Sequence, residues 1–287
     1  MLSVIKQIKS VKESLSFFKH DTHQTMLLVL DLDNTTMQSS KDLGGDQWFN
    51  AILAHVTKHV GNFEVALESV LLVYNAVQHH IKSEAVEPGI VYIIRALQAL
   101  GVPVLGLTAR NLRILEPTLR QLHDIGIDFS KNLVQPEVYD RYAQGIIFCD
   151  GANKGDALAA FLSRVEHSLT HVVMLDDKES HLKHVAVAMK KLNIQFTGLR
   201  YGFLDAKVED FKMHEANVQL AHLIEYLPPS IKKQIEGFQL IAPENVDEAK
   251  ATQALAGHFF HPVPHAPSAI VEVEGLSPGS RPRRASF

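Results

Sequence analysis

Two carboxylates one residue apart stand at the end of a short apolar run, in Leu30-Asp31-Leu32-Asp33-Asn34-Thr35-Thr36. If the chain stays extended through Leu32, a period of two projects both side chains to one side, so one carboxylate can attack while the other exchanges a proton with the leaving oxygen. A dianionic phosphate repels an attacking carboxylate, and a hard cation held by oxygen ligands removes that obstacle. Three further groups carry residue types suited to the same chemistry. Leu107-Thr108-Ala109-Arg110 ends a second apolar run, where the Thr108 hydroxyl and the following backbone N–H of Ala109 would meet a phosphoryl oxygen. Gly151-Ala152-Asn153-Lys154-Gly155-Asp156 reads as a loop opening a helix, with Lys154 a point charge for phosphate and for the Asp31 carboxylate. Val172-Val173-Met174-Leu175-Asp176-Asp177-Lys178-Glu179 closes another apolar run with adjacent carboxylates, which is costly unless a cation or several hydrogen bonds compensate it. Taken singly, each has a plainer reading as a turn, a cap or a solvated charge.

The elements that must position these groups read as short buried strands alternating with helices. The strand signals run from Met26 to Leu30, Val102 to Leu107, Asn132 to Gln135, Val172 to Leu175 and Ile194 to Leu199. Helical patterns cover Val91 to Leu100, Leu112 to Leu122, Gly155 to Phe161 and Leu182 to Leu192. Such alternation predicts an α/β fold, a doubly wound parallel sheet that binds ligands at the carboxyl ends of its strands. Residues 37–87 are too long for a simple crossover; apolar residues around Trp48 and from Val65 to Ile81 predict a small helical cap inserted there, broken at Gly61 and Asn62. The core domain is then residues 26–36 with 88–226. Residues 1–25 are expected to form an N-terminal helix, from the spacing of Ile5, Ile8, Val11 and Leu15 opposite Lys6, Lys9 and Lys12. Docking on the domain is the expected role of that helix, and resting on a membrane is the alternative. Residues 227–287 read as a largely flexible Pro- and His-rich extension.

Across 287 residues, 46% hydrophobic and 21% charged residues describe an ordinary globular chain, and a net charge of -4 gives no reason to expect a nucleic-acid partner. A single cysteine, Cys149, excludes an intramolecular disulfide. The N-terminal run lacks the apolar stretch of a cleaved signal, and no run reaches the roughly 20 residues that span a bilayer. A soluble, cytoplasmic protein is expected, though a protein exported by a signal-independent machine would look the same.

The four groups, in this order and each at a strand end or helix-opening loop, resemble motifs one to four of the haloacid dehalogenase superfamily, over about Met26 to Leu223. The segment from Asp176 to Gly202 and the loop around Lys154 also resemble a branch known only as a domain of unknown function. The resemblance implies a Rossmann-like sheet ordered 5-4-1-2-3 with a cap inserted just after the first strand. It implies a magnesium-dependent phosphomonoester hydrolase working through a phosphoaspartate. Asp31 would be the nucleophile and Asp33 the acid/base; Thr108, Ala109 and Lys154 would bind phosphate. Asp31, Asp33 (through its carbonyl), Asp176 and Asp177 would hold Mg2+, with the direct ligand of the last pair left open. For this role the pKa of Asp33 should be raised by its acidic neighbours. The substrate would be a phosphorylated small molecule or phosphopeptide. A phosphotransferase or phosphomutase, passing the phosphoryl group to another acceptor, is the rival enzyme; a silent interaction module is the rival from another class.

Overall fold

The computed structural model describes residues 3–18, 25–131, 134–136 and 138–253. In chain order the strands are β1 (Ser3–Ile8), β2 (Met26–Leu30), β3 (Met37–Ser39), β4 (Ser83–Ala85), β5 (Val104–Thr108), β6 (Tyr142–Ala143), β7 (Ile146–Phe148), β8 (His171–Asp176) and β9 (Gln195–Tyr201). The helices are α1 (Asp46–Val60), α2 (Phe63–Gln78), α3 (Pro88–Ala99), α4 (Leu115–Asp124), α5 (Lys154–Leu162), α6 (Glu179–Lys191), α7 (Asp205–Glu209), α8 (Met213–Leu223), α9 (Pro229–Gly237) and α10 (Pro243–Gln253).

Among the described residues, seven strands form one sheet in the order β1-β9-β8-β2-β5-β7-β6, parallel except for the β6–β7 hairpin. The central strand shows why. Met26-Leu27-Leu28-Val29-Leu30 is buried throughout, and its side chains alternate between two apolar layers. Met26, Leu28 and Leu30 meet Ile90, Ile94 and Leu97 of α3, while Leu27 and Val29 join the layer of Phe161 and Val185 from α5 and α6. The chain is therefore a mixed α/β protein around a mostly parallel sheet.

Three expectations are corrected. The strand beside β5 is β7, and Val134 and Gln135 form no strand; Asn132 and Leu133 lie outside the described residues. A three-residue run was too short to read as a strand by itself. It is held in place by a two-residue turn at Gln144 and Gly145, both at positive φ (51° and 79°). Gly145 has no substitute there, since a Cβ would lie 1.8 Å from the Phe129 carbonyl oxygen.

The N-terminal residues Ser3–Ile8 form a parallel edge strand on β9 rather than a helix. Valine and isoleucine are stiff β-formers, and a neighbouring strand edge with unpaired N–H and C=O groups decides between the two periods. A 3-10 turn follows at Val11–Phe17, opened by a capping box between Ser10 and Glu13.

The C-terminal segment is not all extension. Leu227, Ile231, Ile235 and Leu240 join Ala216, Leu220 and Leu223 of α8 against Trp48, Ile52, Val56, Val70, Val73 and Val77 of the inserted helices. Two inserted helices cannot enclose a core by themselves, and α8 and α9 complete one. The rest of the expected extension, residues 254–287, lies outside the described residues. The β3–β4 ribbon is the neck through which the insertion leaves and re-enters the core.

Candidate active site

Register brings the site together. Leu30 pairs with Leu175 on one side and with Gly106 on the other, so Asp31, Asp176 and Thr108 finish adjacent strands at nearly one level. After Asp31 the chain turns tightly, the Leu32 carbonyl accepting the N–H groups of Thr36 and Met37 at 2.9 Å while Asn34 takes a left-handed φ of 60°. The Thr36 hydroxyl donates to the Asp31 carbonyl at 2.6 Å, which fixes the turn against the strand.

Lys154 stands at the centre. Its Nζ lies 2.6 Å from Asp31 Oδ1 and 2.8 Å from Asp176 Oδ2, and its side chain is 1% exposed. It is placed by the start of α5, where the Asn153 carboxamide oxygen accepts from the N–H groups of Gly155 and Asp156. Gly155 is needed at the next position, because a Cβ there would meet the His184 carbonyl oxygen of α6 at 2.3 Å. Burial first, and then the Asp176 charge, push the Asp31 carboxyl up to about 6 against the opposing pull of Lys154. Burial acts on Asp176 too, but Lys154 and His181 outweigh it and hold Asp176 below the usual carboxylate value.

Asp33 points elsewhere. Arg110 holds it bidentately, Nε to Oδ2 at 2.9 Å and Nη2 to Oδ1 at 2.8 Å. Burial would raise its pKa, but the guanidinium charge and hydrogen bonds prevail and keep it below the ordinary value. The expected rise from acidic neighbours is therefore corrected: the nearest charge is a cation. Thr108 is fully buried, and its Oγ1 accepts the Arg110 N–H at 3.1 Å. Ala109, between them, is exposed.

Asp177 differs from Asp176. Its backbone N–H donates to Thr35 Oγ1 at 3.0 Å and the Asn34 amide reaches its Oδ2 at 3.5 Å. Its Oδ1 is buried without a hydrogen-bond partner among the described residues. Burial and the charges of Asp31 and Asp176 push its carboxyl up to about 8. By contrast, both Asp176 oxygens are in use, by Lys154, by the Lys178 N–H at 2.8 Å and by His181 Nδ1 at 3.1 Å.

Residues 5–230 match the family described as "Protein of unknown function (DUF2608)". The chain belongs to this family. A Chlamydia pneumoniae protein named "Putative outer membrane protein" is 23% identical over 199 residues, covering 68% of this chain and 76% of its own length. A Chlamydia muridarum protein of the same name is 23% identical over 202 residues, covering 69% and 76%. A second Chlamydia pneumoniae protein so named is 21% identical over 240 residues, covering 77% and 85%. Among the described residues, no helix of this family member is long and apolar enough to cross a membrane.

Does the site suit a hard cation? A buried Asp177 Oδ1 that has no hydrogen-bond partner among the described residues, beside a second carboxylate, is the kind of oxygen such an ion needs. Asp31, Asp176 and His181 also offer ligand atoms within 4.8 Å of one another. That trio is the weaker choice, because His181 already faces Asp176 and Lys154 already neutralises it. The residue types fit, with Asp177 the more available of the acidic pair.

Four residues had no role assigned from sequence. Arg110 was visible inside its motif, but nothing in a linear pattern says which carboxylate a guanidinium will grip. His181 follows the acidic pair by one helical turn, a spacing that hints at its return to Asp176. Lys178 reaches Asp46 of α1 at 2.8 Å, joining core to insertion. Both partners of that pair required the tertiary fold to be seen.

Proposed function

We propose that the chain is a magnesium-dependent phosphomonoester hydrolase, as its resemblance to the haloacid dehalogenase superfamily implies. The observation that carries this reading is Lys154 shared between the Asp31 and Asp176 carboxylates, beside an Asp177 oxygen that has no hydrogen-bond partner among the described residues. Few buried polar atoms lack a partner, and among those of the described residues this is the carboxylate oxygen that stands beside two further carboxylates. With β7 in third place, the run β9-β8-β2-β5-β7 agrees with the order 5-4-1-2-3 and supports the same reading.

In the mechanism, an Asp31 oxygen attacks phosphorus and the bond from phosphorus to the ester oxygen breaks. That oxygen takes a proton from Asp33 and leaves as an alcohol. A water oxygen then attacks the phosphoaspartate and gives a proton to Asp33, while the bond to Asp31 breaks and inorganic phosphate is released. Lys154 trades part of its contact with Asp31 for the incoming phosphoryl oxygens, and the Thr108 hydroxyl with the Ala109 N–H holds another. Asp31, the Asp33 carbonyl and Asp177 would hold magnesium, which would supply neutralisation of the phosphate charge. Both Asp33 oxygens face Arg110 in the described conformation, which holds the carboxyl ionised, so one oxygen must be released and take up a proton from solvent before Asp33 can give that proton to a leaving group.

The test is release of inorganic phosphate from p-nitrophenyl phosphate by the full chain, with magnesium or with a chelator, beside Asp31→Asn. Turnover that requires magnesium and Asp31 supports the reading; a wild-type chain inactive on every phosphoester screened, peptides included, overturns it. A cytoplasmic location stays part of the proposal and is tested by cell fractionation, because the relatives are named for the outer membrane.

A further inference from the structure

An unbroken run of hydrogen bonds, part-buried at Asp33 and buried beyond it, ties Asp33 to the helical insertion. Beyond its two bonds to Asp33, Arg110 donates from Nη1 to Gln121 Oε1 at 2.7 Å and to Thr118 Oγ1 at 3.0 Å. Gln121 Nε2 donates to Gln78 Oε1 at 3.0 Å, and Gln78 Nε2 donates to the Gly44 carbonyl at 2.8 Å. Gln78 is the last residue of α2, and Gly44 stands just ahead of α1. Gln121 and Gln78 are both fully buried.

The direction of this run is forced. A guanidinium only donates and a carbonyl only accepts, so each amide between them must turn its oxygen toward Arg110 and its nitrogen toward Gly44. Flipping either one sets donor against donor. Glutamine is ordinarily a surface residue, and a buried amide that loses a partner costs about 1–3 kcal/mol. Displacing α2 or the Gly44 turn therefore removes the partner that holds Gln78, and the loss passes to Gln121 and to the Arg110 guanidinium.

We propose that Gln78 and Gln121 are positioning residues through which the seating of the inserted helices sets the orientation of Arg110 and, with it, of the Asp33 carboxylate. The link to catalysis rests on the reading of Asp33 as acid/base; the mechanical coupling does not.

The experiment uses Gln78→Met and Gln121→Glu in the full chain, each checked for an intact thermal transition. Gln121→Glu keeps the acceptor for Arg110 but sets a carboxylate oxygen against the Gln78 side-chain and backbone carbonyls where the amide donated, so it breaks this link without removing volume while adding an anion beside Arg110; Gln78→Met is the variant that leaves the Arg110 contacts themselves unaltered. The Arg110 Nε–H proton signal, assigned by its loss in Arg110→Lys, reports on coupling without any substrate. In Gln78→Met it is expected to shift and to exchange with solvent about tenfold faster, since local opening replaces a closed network. An unmoved signal with unchanged exchange in both variants overturns the coupling. For catalysis, phenyl or alkyl phosphates need a proton for their leaving oxygen and p-nitrophenyl phosphate scarcely does. Both variants are expected to lose about tenfold more on the former than on the latter. Equal loss on both overturns the positioning of Asp33. A wild-type chain without phosphatase activity would sink the proposed function, while the Arg110 signal would still decide the coupling.

Discussion

The two flanks of the candidate site use their cations differently. On one flank Lys154, a compact point charge, is shared by Asp31 and Asp176 and lies wholly within the α/β core. On the other, Arg110 spends a planar fork on Asp33 alone and continues through Gln121 to the inserted helices. Burial raises both carboxyls; at Asp31 the Asp176 charge adds to it and the shared Lys154 does not offset the two, whereas at Asp33 the Arg110 fork outweighs burial. The lesson is that two carboxylates a single residue apart acquire opposite properties from the burial and the charges around each, and not from their own spacing. The Asp31 flank is held within the core; the Asp33 flank is linked to a second body of helices.

The sharpest way to break this contrast is Asp31→Asn, which should lower turnover by roughly 10^4-fold or more, about 5 kcal/mol in the barrier, with phosphate release as the measurement. A variant that keeps appreciable magnesium-dependent activity would remove Asp31 from the nucleophile's place. Next comes Lys154→Met, which strands two buried carboxylates. Chemical denaturation should show a loss of about 3–5 kcal/mol, and a loss under 1 kcal/mol would mean that the shared cation is not what holds this flank together. Smaller again is the response to magnesium alone. At a free concentration about 100 times its Kd the ion should stabilise the chain by about 2.7 kcal/mol, seen as a rise in Tm that disappears in Asp177→Asn. A rise that survives in Asp177→Asn would shift the ion to the Asp176 and His181 side.

The smallest effect is a control away from the site. Glu87 is a buried carboxylate held by neutral donors, the Ser10 hydroxyl, the Val11 N–H and the Tyr201 hydroxyl, each at 2.8 Å. Burial opposes ionisation, but these bonds keep its pKa below the ordinary 4.5. A depressed folded value contributes stability that is complete above 4.5 and fades as pH falls through the folded value. Wild type should therefore exceed Glu87→Gln by about 1–2 kcal/mol at neutral pH, with the gap narrowing in acid. A gap independent of pH would show that ionisation of Glu87 contributes nothing.

Much of the site was legible because its residues sit at strand ends, where an apolar run followed by a polar group marks both the element and its exposed tip. Asp31, Asp176 and Lys154 are in direct contact, and Thr108 lies on the next strand. The partner of Asp33 was not legible, nor was the direction of its pKa shift, since both depend on a side chain 77 residues away. The fold divides similarly. Four of the five expected strands stand where apolar runs place them, while β7 escaped as a three-residue segment and β1 was hidden by a helical spacing of isoleucines that a sheet edge overrode.

The local sequence, then, determined which segments bury both faces, where each strand stops, and which carboxylates, hydroxyl and amine stand at those stops, because burial and turn chemistry act over a few residues. Only the tertiary structure decided that α8 and α9 complete the inserted helices, that Arg110 takes Asp33 while Lys154 takes Asp31, and that one Asp177 oxygen finds no partner among the described residues. Those outcomes are competitions among groups distant in the chain, and they are settled by which donor arrives within about 3 Å of which acceptor once the layers have packed.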